Sequence, residues 1–74
     1  MNVQEYMKLP YNFIIKRIQD ESGSYFYATV AELDGCQSTG DTFQETYENL
    51  IEATEGWIET KLENGFTVPA PFSV

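Results

Sequence analysis

The apolar and polar positions of this chain fall into two runs of β-formers, a turn-rich middle and one long stretch with a helical period. Residues 12–18 (NFIIKRI) predict a first strand, with Phe13, Ile15 and Arg17 on one side and Ile14, Lys16 and Ile18 on the other. The cluster QDESGS at 19–24 predicts a hairpin turn, with Gly23 available for positive φ, and YFYATV at 25–30 is the returning strand. Tyr25, Tyr27 and Thr29 then share one face, and Phe26, Ala28 and Val30 the other. Leu33-Asp34-Gly35 is a turn, and 36–39 is long enough for a short third strand. Met1 to Pro10 shows no regular pattern and is expected to be a tail or short extension, since Pro10 pushes Leu9 away from helical angles.

The helical stretch begins after Thr42, whose spacing to Glu45 is that of a capping box, with Asp41 beside the positive end of the dipole. It ends at Gly65, which can adopt the left-handed closing conformation and let Phe66 fold back onto Ile58 or Leu62. Between them, steps of 100° separate three faces. Phe43, Tyr47, Leu50, Ile51, Thr54, Trp57, Ile58 and Leu62 form the core stripe. Glu45, Glu48, Glu52, Glu55, Glu59 and Glu63 follow at spacings of three or four, a line of like charges in which each neighbouring pair costs on the order of 0.2–0.5 kcal/mol. Thr46, Asn49, Ala53, Gly56 and Thr60 fill the flank, where a mid-helix glycine costs about 1 kcal/mol against alanine and so hints that another backbone comes close at Gly56. A brief extended run at 66–68 precedes Pro69 and Pro71, giving the order β-β-β-α-β. The fold class is α+β, a small antiparallel sheet with one long helix packed on one face, which leaves the other sheet face uncovered.

Charge then narrows the function. Twelve acidic residues against four basic ones give a net charge of −8, which repels a phosphate backbone, so direct nucleic-acid binding is not expected. Between Ile18 and Thr60 there are ten Asp or Glu and no Lys or Arg, a segment suited to a basic protein partner. Seventy-four residues bury a small core, so a homo-oligomer, a dimer or tetramer, is expected. A single cysteine forms no internal disulfide, and the lack of a charged-then-apolar leader or long apolar run predicts a cytoplasmic protein without membrane contact.

From Tyr27 to Pro71 the chain resembles the HicB family of type II antitoxins, on Glu32, Leu33, Gly35, Cys36, Gly40, Asp41, Thr42, Glu45, Asn49, Gly65, Pro69 and Pro71. Asp34 stands where that family usually has Pro, and Thr46 where it usually has Ala. Seventy-four residues make a single domain, 1–74, and the resemblance, over roughly its last two thirds, implies a partial ribonuclease-H-like fold. It implies a protein that silences a small, basic, mRNA-cleaving toxin of the HicA type, its acidic surface standing in for RNA phosphates. Many members carry a C-terminal DNA-binding domain, and a chain ending at Val74 has no room for one.

No His is present, which removes Ser-His-Asp and Cys-His catalysis and the commonest zinc sites. Asp20, Glu21, Glu32, Asp34 and Asp41 could hold two Mg²⁺ ions on such a fold, but most stand in turn contexts that select Asp for backbone reasons. No catalytic residue, metal or cofactor is expected. Cys36 reads as a small buried hydrophobe rather than a reactive thiol, and Trp57 as core. The candidate partner-binding residues, for toxin or oligomer, are Tyr25, Tyr27, Glu32, Asp34, Glu48, Glu52, Glu55 and Gly56. The alternative is a stand-alone oligomeric HicB-like domain with a different, regulatory protein partner.

Overall fold

A computed structural model describes residues 1–71. Helix α1 (Val3–Met7) is followed by strands β1 (Phe13–Asp20), β2 (Gly23–Val30) and β3 (Gln37–Gly40), then by helix α2 (Phe43–Glu63). The strands form one antiparallel sheet in the order β1-β2-β3, with α2 on one face. The domain is α+β, as the periodicities predict.

Register follows from turn chemistry. The hairpin closes at Asp20↔Gly23, around Glu21 and Ser22. The Asp20 carboxylate accepts from the Ser22 hydroxyl at 2.7 Å and the Ser22 N–H at 2.9 Å, which holds its pKa below the usual range, and Gly23 takes φ 130°. With this pairing, Phe13 and Ile15 of β1 share the helix-facing side with Phe26, Ala28 and Val30 of β2, while Ile14, Ile18, Tyr25, Tyr27 and Thr29 point outward.

Two successive turns then lower Leu33 into the core. Leu33 N–H donates to Val30 at 3.2 Å and Cys36 N–H donates to Leu33 at 3.1 Å, with Gly35 at φ 79°. Beneath them lie Ala28, Val30, Leu33, Cys36, Leu50, Ile58 and Val68. Two threonines join this core, Thr54 as the helical stripe predicts and Thr46 from the flank where the pattern had left it: both are buried, each hydroxyl donating to the carbonyl four residues back at 2.7 Å. Cys36 sits 3.6 Å from the Thr54 hydroxyl, and burial pushes its thiol pKa up.

At the start of α2 the Thr42 hydroxyl accepts from Glu45 N–H at 3.1 Å, so half of the expected capping box forms. The stop is a complete Schellman motif: Gly65 at φ 72° donates to Leu62, and Phe66 N–H donates to Lys61 at 2.9 Å. Phe66 stays 60% exposed, and the Lys61 ammonium stands 5.1 Å from its ring centroid and 5.2 Å from that of Trp57.

The structure corrects the reading in four further places. Residues 1–10 are not an irregular tail, because Asn2 and Glu5 make a full reciprocal capping box that starts α1. Residues 66–68 form no strand; the segment is held instead by buried Val68 and by the Tyr11 hydroxyl, which donates to Pro69 at 2.6 Å. Phe43 and Tyr47 stay 56% and 40% exposed, with ring-edge contacts to Phe26 and Phe13 at 6.4 and 5.9 Å. Nothing lies within 4 Å of a β-carbon built on Gly56; the close approach is at Gly40, where that carbon would sit 2.6 Å from the Thr46 hydroxyl.

Candidate protein-binding surfaces

Three surfaces remain after the core is accounted for, and they do not coincide. The first is the back of α2. Glu45, Glu48, Glu52, Glu59 and Glu63 are all exposed, with Glu48 accepting from Gln44 at 2.8 Å. The one basic residue of the helix, Lys61, is occupied by two aromatic rings, so no cation on the helix relieves the line. This long single-sign surface can steer a positively charged partner.

The second surface is the outer face of the sheet. Tyr25 pairs with Ile18, and Tyr27 stands beside Lys16 with its hydroxyl donating to Gln37 at 2.7 Å. Tyr27 and Asp34 line one depression of about 330 Å³ below the 31–36 turn, so two of the candidate residues come together here. Asp34 also accepts from the Trp57 indole N–H at 3.0 Å through its backbone carbonyl, tying the turn to α2. Ile14 and Tyr25 are 43% and 38% exposed, which leaves an amphipathic patch on the side of the sheet away from the helix.

The third surface was not legible in the pattern. A groove of about 520 Å³ runs between α1 and α2, lined from one side by Met7, Leu9 and Tyr11 and from the other by Tyr47, Ile51 and Glu55. Glu55 is exposed like the rest of the acidic line and also lines the rim of this groove. Gly56, next to it, is exposed. The only sequence signal for the groove was the Asn2–Glu5 spacing that creates α1.

Glu32 has a different use. It is 7% exposed, and its carboxylate accepts from both the backbone N–H of Asn12, at 3.0 Å, and the Asn12 side-chain amide. A carboxylate buried in this way joins the start of β1 to the end of β2 and is removed from any contact surface. Among the described residues no three His, Cys, Asp or Glu are gathered where they could hold a metal ion, so Asp20, Glu21, Glu32, Asp34 and Asp41 are not brought into one cluster. No helix among those residues is long and apolar enough to cross a membrane.

Comparison with known proteins places this geometry in a lineage. The profile of a family described as UPF0150-like matches residues 14–69. A UPF0150 protein of Synechocystis sp. is 37% identical over 59 residues, covering 80% of this chain and 73% of its own. No solved structure matches the chain at a significant level.

Proposed function

The chain belongs to the UPF0150-like family, and from that premise we propose that it is a HicB-like antitoxin, a non-enzymatic module that binds and neutralises a small, basic, mRNA-cleaving toxin of the HicA type. The observation that carries this reading is the unrelieved acidic back of α2. Stacked glutamates cost the free helix stability, and a cationic partner removes that cost on docking while gaining a faster encounter. RNA is the toxin's natural polyanion, so a rigid row of carboxylates is a protein mimic of its charge. Hydrolysis is no part of the function proposed here.

The test asks whether a small basic protein is encoded beside this one and co-expresses the two. Recovery of a stoichiometric complex, and relief of the growth arrest caused by that product alone, is the expected result. A neighbour product that neither copurifies nor is relieved would refute it.

The second reading is a stand-alone oligomer with a different, regulatory partner. It is favoured by the outer sheet face and by shape. A Cα radius of gyration of 13.3 Å exceeds the about 11 Å of a compact chain of this length, and the extents of 43 × 28 × 18 Å describe a flattened body. Light scattering at micromolar concentration separates the two: a monomer that forms a heterocomplex removes the second reading, and a stable oligomer with no basic partner removes the first.

A further inference from the structure

The α1–α2 groove combines three kinds of wall that point to one chemistry. Met7, Leu9 and Ile51 give an aliphatic floor; Tyr11, Phe13 and Tyr47 contribute aromatic rings; and Glu55 is the one charged group lining it. Phe13 and Tyr47 already hold each other edge to face, 61° between planes, so two of the rings are fixed before anything binds. The Tyr11 hydroxyl is anchored on the Pro69 carbonyl, which fixes the third. An anion here would meet Glu55 and the negative faces of the rings, and a neutral apolar group would gain nothing from Glu55, which is exposed at the rim. A cation on a flexible aliphatic stem satisfies all three walls, because rings attract a desolvated cation and methylenes cover the floor.

We propose, resting on the reading of a basic protein partner, that this groove receives a lysine or arginine side chain of that partner, its stem over Met7 and Ile51 and its charged head at Glu55. The acidic back of α2 then accelerates encounter, and the groove fixes register. Much of its lining, Gln4 to Phe13, lies ahead of the stretch matched by the family profile, so the site depends on residues outside the region that defines the family.

The test needs no partner at its first stage. Backbone amide NMR of the full chain is followed during titration with n-butylammonium or n-butylguanidinium chloride, with n-butanol as the neutral isostere and sodium chloride as the ionic control. Saturable shifts concentrated at Met7, Tyr47, Ile51 and Glu55 are expected, with affinity about tenfold above that of n-butanol. Glu55→Gln should lose about that factor, whereas Glu48→Gln, on the same helix but outside the groove, should bind as wild type does. Shifts that do not saturate, an equal response to n-butanol, or equal losses in both variants would overturn the site. At the second stage, Glu55→Gln should weaken the complex with the basic neighbour product; an unchanged complex would overturn the assignment of the cation to that partner. Saturable amine binding by a chain that captures no basic neighbour would remove the partner while leaving the groove's chemistry measured, so the two failures are distinguishable.

Discussion

Gly40→Ala tests how tightly β3 is sealed against the first turn of α2. A β-carbon on Gly40 would lie 2.6 Å from the Thr46 hydroxyl, 2.9 Å from the Thr46 backbone nitrogen and 3.1 Å from its α-carbon. None of these atoms is a flexible tip. Thr46 is fully buried, its N–H donates to the Thr42 carbonyl at 3.0 Å, and its hydroxyl donates to the same carbonyl at 2.7 Å. Relief therefore requires α2 to move away from the sheet, an overpacking cost of about 1–3 kcal/mol. Against it stands the reduced entropy of the unfolded chain, which favours alanine by about 0.4–1 kcal/mol at a position without positive φ. The net expectation is destabilisation by about 0.5–2 kcal/mol, with Tm lowered by about 4–8 °C for each kcal/mol in a domain of this size. Gly56→Ala supplies the opposite sign: with open space around it in mid-helix, it should stabilise by up to about 1 kcal/mol. Urea titration followed by circular dichroism reads both. Adding Thr46→Ala to Gly40→Ala removes the nearest atom but leaves the backbone nitrogen, so a double-mutant cycle should show partial rescue, a coupling of at least about 0.5 kcal/mol. A Gly40→Ala variant as stable as wild type, or a cycle without coupling, would refute the sealed contact.

Other predictions address charge, burial and the two separated faces. Reversal of Glu48, Glu52 and Glu59 to Lys, all outside the groove, should slow association with the basic partner several-fold and flatten its salt dependence, measured by surface plasmon resonance across a salt series; wild-type association indifferent to salt would make the line a solvated face only. Tyr27→Ala, on the opposite side of the molecule, should change self-association by light scattering without altering that salt dependence, and combined effects should add to within about 0.5 kcal/mol. Because burial raises the Cys36 pKa above its unfolded value, the stability it contributes is complete below the ordinary thiol range and falls as pH rises through and beyond it. Urea midpoints from neutral to alkaline pH should decline more in wild type than in Cys36→Ala, and parallel declines would contradict this. Tyr11→Phe, which removes the donor to Pro69, should cost about 0.5–1.5 kcal/mol and release the C-terminal segment to faster amide exchange.

The long helix, both hairpin strands and the third strand were legible because each combined a period with a stop. Thr42 and Gly65 bracket one period, and Gly23 and Gly35 interrupt the other. What was missed failed for specific reasons. The five residues of α1 are too few for a period to emerge, although the Asn2–Glu5 spacing carried the signal. Thr46 reads as polar until its hydroxyl is turned back onto the helix carbonyl. Glu32 reads as part of the acidic surface, and only the fold brings Asn12 against it. The acidic line was visible as spacing, whereas the groove depends on two segments about forty residues apart meeting in space.

Trp57, the chain's single tryptophan, stands where three parts of the molecule converge: its indole N–H is held by the carbonyl of Asp34, its ring carries the Lys61 ammonium, and its helix turn packs on the core. Its emission is therefore an intrinsic gauge of whether the 31–36 loop is latched. Detachment of that loop exchanges the carbonyl acceptor for water while α2 is still wound, so fluorescence and far-ultraviolet dichroism will part company if unlatching precedes unwinding. The protein thus carries its own optical reporter, without a label, at the junction between its sheet and its helix.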